Sequence, residues 1–117
     1  MKLKIIAIAN RGVPYQERLH ISVLAQANLS FYAVIATTKV SSTEILTAAK
    51  HFHWWNPYLV NPGDNVILYS GFGNPSVQLR PDGGRNHFFY WGLADVIWGE
   101  PNSCAVVLEL ANWETSP

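Results

Sequence analysis

The sequence predicts an all-β protein, an antiparallel β-sandwich of about seven to nine strands folded as one domain over residues 1–117. Three observations carry that prediction. The C-terminal half runs through short apolar stretches, Asn65–Ser70, Phe88–Gly92, Val96–Gly99 and Cys104–Leu110, each closed by turn residues. Residues Glu17 to Leu24 alternate, with Leu19, Ile21 and Val23 on one phase and Arg18, His20 and Ser22 on the other, the pattern of a half-buried antiparallel strand. Only Ser41 to Lys50 has anything of a helical period.

In chain order, Leu3 to Ala9 is a first strand that Asn10-Arg11-Gly12 ends, and Glu17 to Leu24 is the second. Ala27–Ser30 turns the chain into a β-branched and aromatic strand, Phe31 to Thr38. Ser41 and Glu44 have capping-box spacing, but Ser41–Lys50 is too short to hold a helix alone and reads as a loop with one helical turn. His51 to Trp55 is a strand stopped by Asn56-Pro57, and Asn61-Pro62-Gly63-Asp64 turns into the strand Asn65–Ser70. Ser76 to Tyr90 is a hairpin whose tip, Arg80–Arg85, contains Asp82-Gly83, a tight-turn signal. Trp91–Trp98 and Cys104–Leu110 are the closing strands. The expected core is Leu3, Ile5, Leu19, Ile21, Val23, Phe31, Ala33, Val66, Leu68, Val106 and Leu108.

Composition narrows the function classes. Hydrophobic residues are 49% of the chain and charged ones 14%, well under the usual charged share of about 25%. The chain should therefore bury a core and leave an apolar or aromatic surface. Eight basic and eight acidic side chains cancel, and the basic ones are scattered, so only a patch assembled by folding could supply the phosphate-binding surface that nucleic acid needs, and nucleic acid is not the expected partner. Net neutrality also removes one barrier to self-association. Cys104 has no partner for a disulfide and reads as a small strand hydrophobe. The apolar stretch after Lys4 is too short for a signal peptide, and no run approaches the ~18 apolar residues of a membrane span, so a cytoplasmic protein without membrane contact is expected.

Parts of the chain resemble a known family. The alternating strand after Glu17, followed by Asn28-Leu29-Ser30-Phe31-Tyr32-Ala33-Val34, resembles the opening of lamin-tail domains. The segment Val60-Asn61-Pro62-Gly63-Asp64, its apolar strand and the turn Gly71-Phe72-Gly73 are similar to that family's Pro-Gly loop, strand and small-residue turn. Tyr90-Trp91-Gly92 and Ile97-Trp98-Gly99-Glu100, before the Cys104–Leu110 strand, resemble its closing aromatic motif. The resemblance implies an immunoglobulin-like sandwich used for binding, with no catalytic residues to transfer. The hairpin around Pro81–Gly84 departs from the pattern as an insertion, and neither a coiled-coil rod nor an attached enzyme lies in these 117 residues, so the family's structural and nuclear roles do not transfer with the fold.

Candidate chemistry is sparse. His51 and His53 are two apart on a strand and project to one face, which makes them the best metal candidates, and a third ligand would have to come from His20, His87, Asp64 or Glu17. Tyr69-Ser70-Gly71 lacks the first glycine of a nucleophile elbow. Gly71-Phe72-Gly73 leads into Asn74-Pro75 rather than a helix and cannot cradle phosphate. Asn28-Leu29-Ser30 is a glycosylation sequon that matters only in a secretory compartment.

The aromatics carry the stronger reading. Trp54 and Trp55, like Tyr90 and Trp91, must point to opposite faces of their strands. A non-catalytic binding or assembly module is therefore expected, one that recognises a protein partner or itself through an aromatic surface comprising Trp55, Tyr90, Trp98, Tyr58 and Phe72, with no cofactor. The alternatives are a carbohydrate-binding protein that uses the same rings for stacking and a small metal-dependent enzyme built on His51 and His53.

Overall fold

The structure is a computed structural model describing residues 1–49 and 51–117. These residues contain ten strands: β1 (Leu3–Ala9), β2 (Arg18–Val23), β3 (Ala27–Asn28), β4 (Tyr32–Thr38), β5 (His51–Trp54), β6 (Leu59–Val60), β7 (Asn65–Tyr69), β8 (Ser76–Leu79), β9 (Arg85–Tyr90) and β10 (Ser103–Glu109). A single 3-10 turn, Leu29–Phe31, lies between β3 and β4, and no described residue is in an α-helix. The protein is all-β, with more and shorter strands than the sequence suggested.

Five strands form one sheet in the order β1-β2-β7-β9-β8, three form a second in the order β10-β4-β5, and β3 pairs with β6. Side chains from both larger sheets meet in one core cluster, Leu19, Ile21, Val23, Val66 and Leu68 from the first and Tyr32, Val34 and Ala36 from the second. Pairing is antiparallel except between β7 and β9, which run parallel from Asn65↔Asn86 to Tyr69↔Tyr90. The expectation of a wholly antiparallel sheet is corrected there. After β7 the chain reverses, runs back as β8 one place away, and the Arg80–Gly84 turn sends β9 into the gap. A hairpin whose second strand fills the space beside β7 must run parallel to it.

Other differences have local causes. The 3-10 turn rotates Phe31 outward to 52% exposure and places Leu29 in the core. In β10 the inward phase belongs to Ala105 and Val107, not to Val106 and Leu108. Ala33 is fully buried but shares its register with Leu108 and Trp54, on the opposite phase from Tyr32 and Val34. Trp91–Trp98 is irregular instead of extended. Gly92 has φ +83, and the N–H groups of Ile97 and Trp98 go to a side chain rather than to a neighbouring strand. Residues 41–49 form a loop with no helical turn, closed by the isolated bridge Lys39↔Ile45, and Lys50 lies outside the described residues.

Candidate functional site

The five-stranded sheet carries an ordered outer face. Ser22, Asn65, Asn86 and Gln78 form one cross-strand row, with Asn65 donating to Asn86 at 3.1 Å and Asn86 to Gln78 at 3.1 Å. Arg18, Tyr69 and Tyr90 form another. The two phenol rings stack at 5.0 Å and 13°, close to the spacing between strands, so they stand up from the sheet side by side. The Arg18 guanidinium lies 5.7 Å from the centre of Tyr69. Gly73 closes the other end, since a Cβ there would run into the Tyr90 ring. Tyr90 therefore shows solvent an edge rather than an open face, and a sugar ring has no platform at that residue. Phe72, beside Gly73, is 58% exposed.

On the inner face the chain encloses two polar clusters. Glu17 is 1% exposed and accepts four hydrogen bonds: from Gly12 N–H (3.0 Å) and Trp98 N–H (3.1 Å) at Oε1, and from Ser70 Oγ (2.5 Å) and Ile97 N–H (2.8 Å) at Oε2. It ties the first loop, the end of β7 and the irregular 91–102 segment together. Asp64, His87 and Tyr58 form the second cluster. Asp64 Oδ2 lies 2.8 Å from His87 Nε2, and His87 Nδ1 lies 2.8 Å from the Tyr58 hydroxyl. An ionised carboxylate only accepts, so Nε2 carries a proton, and in the neutral ring Nδ1 then accepts from the Tyr58 hydroxyl. Burial pushes the Asp64 carboxyl up, but hydrogen bonds from Asn61 N–H, His87 and Arg85 N–H outweigh it and hold the group below its ordinary range. Composition and motif signals pass over both clusters, although the alternation of β2 and β9 places Glu17 and His87 on the inward phase.

The structure distributes the expected site residues. Trp98 and Trp55 are core, at 0% and 5% exposure, and of the two only Trp55 reaches a surface, in the floor of a groove beside Trp54. Tyr58 is half-buried between His87 and Phe89, with ring centres at 5.3 and 5.2 Å. His51 and His53 do share a face, but it is the inner one, opposite Ala36 and Val34 and against Trp91. Burial lowers the His53 imidazole to about 4. Among the described residues no three His, Cys, Asp or Glu side chains gather to hold a metal ion. The sequon residue Asn28 caps the 3-10 turn, where its Oδ1 accepts from Ser30 N–H, Ser30 Oγ and Tyr58 N–H.

The exposed aromatics are instead on the outer face of β10-β4-β5. Register places Ala33, Ile35 and Thr37 of β4 beside Phe52 and Trp54 of β5 and Cys104, Val106 and Leu108 of β10. Phe52 is 54% and Trp54 42% exposed. Thr37 is the one polar side chain in the set, and its hydroxyl is turned to the Leu46 carbonyl. At one end Trp113 packs edge-on against Trp54 at 5.4 Å, and with Phe31, Asn56 and Pro57 they line a groove of about 510 Å³. Trp54 Nε1 donates to the Ser30 carbonyl (2.7 Å), which fixes the indole in place.

The chain matches no protein-family model, no curated protein and no solved structure. Among the described residues no helix is long and apolar enough to cross a membrane.

Proposed function

We propose that this protein is a non-catalytic assembly module that associates with a second copy of itself through the outer face of β10-β4-β5. One observation carries the reading: through the middle of β4 and β10 both phases are apolar. An antiparallel sheet with one wet side alternates apolar and polar residues, whereas Cys104 to Leu108 and Ala33 to Ala36 offer nothing polar on either side. Such a sheet is built to be covered twice, once by the core and once by something else.

The size of the face fits a reversible contact. Aromatic side chains bury roughly 150–250 Å² each, so Phe31, Phe52, Trp54 and Trp113, at 42–65% exposure, present on the order of 400 Å² together. That equals the largest apolar patch of an ordinary monomer and about half of what each partner gives to a standard interface. A second copy is the favoured occupant because the face has no charge to be complemented and the chain's net charge of zero opposes nothing. The lamin-tail resemblance supports the same reading, with an immunoglobulin-like layering of the two sheets as the scaffold and the parallel β7–β9 pair as this chain's departure from it.

Light scattering across a concentration series tests the proposal. The wild-type mass should rise above 13.1 kDa with concentration, and Phe52→Lys, at an exposed position, should lower the mass reached at each concentration without unfolding the chain. A mass that stays monomeric at hundreds of micromolar would refute it. Quenching of tryptophan fluorescence by oligosaccharides with no change in mass would favour the carbohydrate alternative on Trp54 and Trp113.

A further inference from the structure

The five-stranded sheet treats its two edges differently. β1 carries a bulge between Ile5 and Ala7 and has Lys2 and Lys4 at its start, both devices that discourage another strand from pairing. β8, at the other edge, has neither. Its four residues, Ser76, Val77, Gln78 and Leu79, are uncharged and exposed throughout. The three-stranded sheet is too narrow to cover it, so Val77 (51% exposed) and Leu79 (67%) extend the inner face beyond the core.

Hydrogen bonding shows which backbone groups of β8 are free. Arg80 N–H donates to the Gly84 carbonyl at 2.8 Å, which makes that pair hydrogen-bonded. Antiparallel pairs alternate, so Gln78↔Asn86 and Ser76↔Phe88 are bonded inward, and Val77 and Leu79 turn their N–H and C=O groups to the open edge. The Arg80 side chain folds back onto the Gly63 carbonyl, Asn86 and Asp82 and leaves the edge clear.

We infer that β8 pairs antiparallel with β8 of a second copy about a two-fold axis through Gln78. A two-fold perpendicular to the sheet keeps inner faces with inner faces, so the strands must be centred on a residue. With Gln78 opposite its own copy, Val77 lies opposite Leu79 and Leu79 opposite Val77. These are the residues whose backbone groups are free, and their side chains make apolar pairs on the inner face. The Gln78 side chains meet on the outer face, where each already accepts from Asn86. The contact is short and buries far less than the ~800 Å² per partner of a stable dimer, so alone it is weak. It becomes consequential with the sheet-face contact, on which this part of the inference rests. Two separate isologous surfaces on one chain carry association past the dimer.

The test is light scattering on five proteins at matched concentration. Wild type should exceed dimer mass. Val77→Pro removes an outward N–H that the β8–β9 hairpin does not use. Val77→Lys places a charge at the same edge and serves as the variant that keeps the hairpin if proline disturbs it. Either should weaken the edge contact about tenfold or more and arrest assembly at the face-to-face dimer. Phe52→Lys should arrest it at the edge-to-edge dimer, and Phe52→Lys with Val77→Lys should be monomeric. A Val77→Lys protein, or a folded Val77→Pro protein, that assembles like wild type overturns the edge pairing. A Phe52→Lys protein that assembles like wild type overturns the sheet-face reading and leaves the edge pairing standing if Val77→Lys still lowers the mass.

Discussion

Removing the Glu17 carboxylate should destabilise the whole protein. The carboxylate is almost completely buried and satisfies four donors from three parts of the chain. In Glu17→Ala the N–H groups of Gly12, Ile97 and Trp98 and the Ser70 hydroxyl lose their acceptor. Each buried donor left unsatisfied costs about 1–3 kcal/mol. Gly12 and Ile97 are only half-buried and the Ser70 hydroxyl can rotate, so the full cost falls on the Trp98 amide and a reduced one on the others. The loss should be about 3–5 kcal/mol, a large part of the roughly 5–15 kcal/mol that a domain has. Glu17→Gln keeps one acceptor oxygen but turns an NH₂ group toward at least one N–H, and should cost about half as much. Urea denaturation followed by tryptophan fluorescence measures both, and amide exchange at Ile97 and Trp98 should quicken before that of β7. A change under about 1 kcal/mol in Glu17→Ala, with unchanged exchange at those amides, would refute the reasoning.

Two further predictions concern the core and the outer ladder. His53 is held neutral by burial, with its pKa lowered from 6.5 to about 4. Its stabilising contribution is therefore complete above pH 6.5 and is lost as the pH falls toward 4, by about 2–3 kcal/mol once partial exposure is allowed for. His20, whose pKa is also lowered, acts with the same sign, so the difference between wild type and His53→Gln across that window is the measurement. A difference that stays flat from pH 7 to 4 would contradict the burial. Gly73→Ala should push Tyr90 off Tyr69 and cost about 1–3 kcal/mol, visible as a lowered thermal midpoint and a changed near-ultraviolet tyrosine signal; an unperturbed signal would mean that Gly73 does not close the ladder.

The sequence was legible wherever one phase of a strand was polar. Arg18, His20 and Ser22 set the orientation of β2, and Asp82-Gly83 located the β8–β9 turn. It was illegible where both phases were apolar. In Cys104 to Leu108 nothing distinguishes Val106 from Val107, and a shift of one residue exchanges inside for outside. The same ambiguity hid the candidate surface, since Trp54 and Trp55 were known to diverge and only the register of β5 against β4 assigns Trp54 to solvent. Trp91–Trp98 looked like a strand because its residues are apolar, but its amides answer to Glu17, more than seventy residues earlier, and no local pattern reports that contact. The parallel pairing of β7 with β9 is equally non-local, because a hairpin signal fixes how β8 and β9 meet and not where the pair docks.

The reactivity of Cys104 is the most direct measure of whether the apolar outer face is covered by another copy. The thiol lies on that face, in register with Thr37 and next to the row of Val106, Ile35 and Phe52. Its rate of modification by a small disulfide reagent at fixed pH should fall as protein concentration rises, and Phe52→Lys should abolish the fall. A rate independent of concentration, in a protein whose mass still grows, would place the association elsewhere and contradict the account.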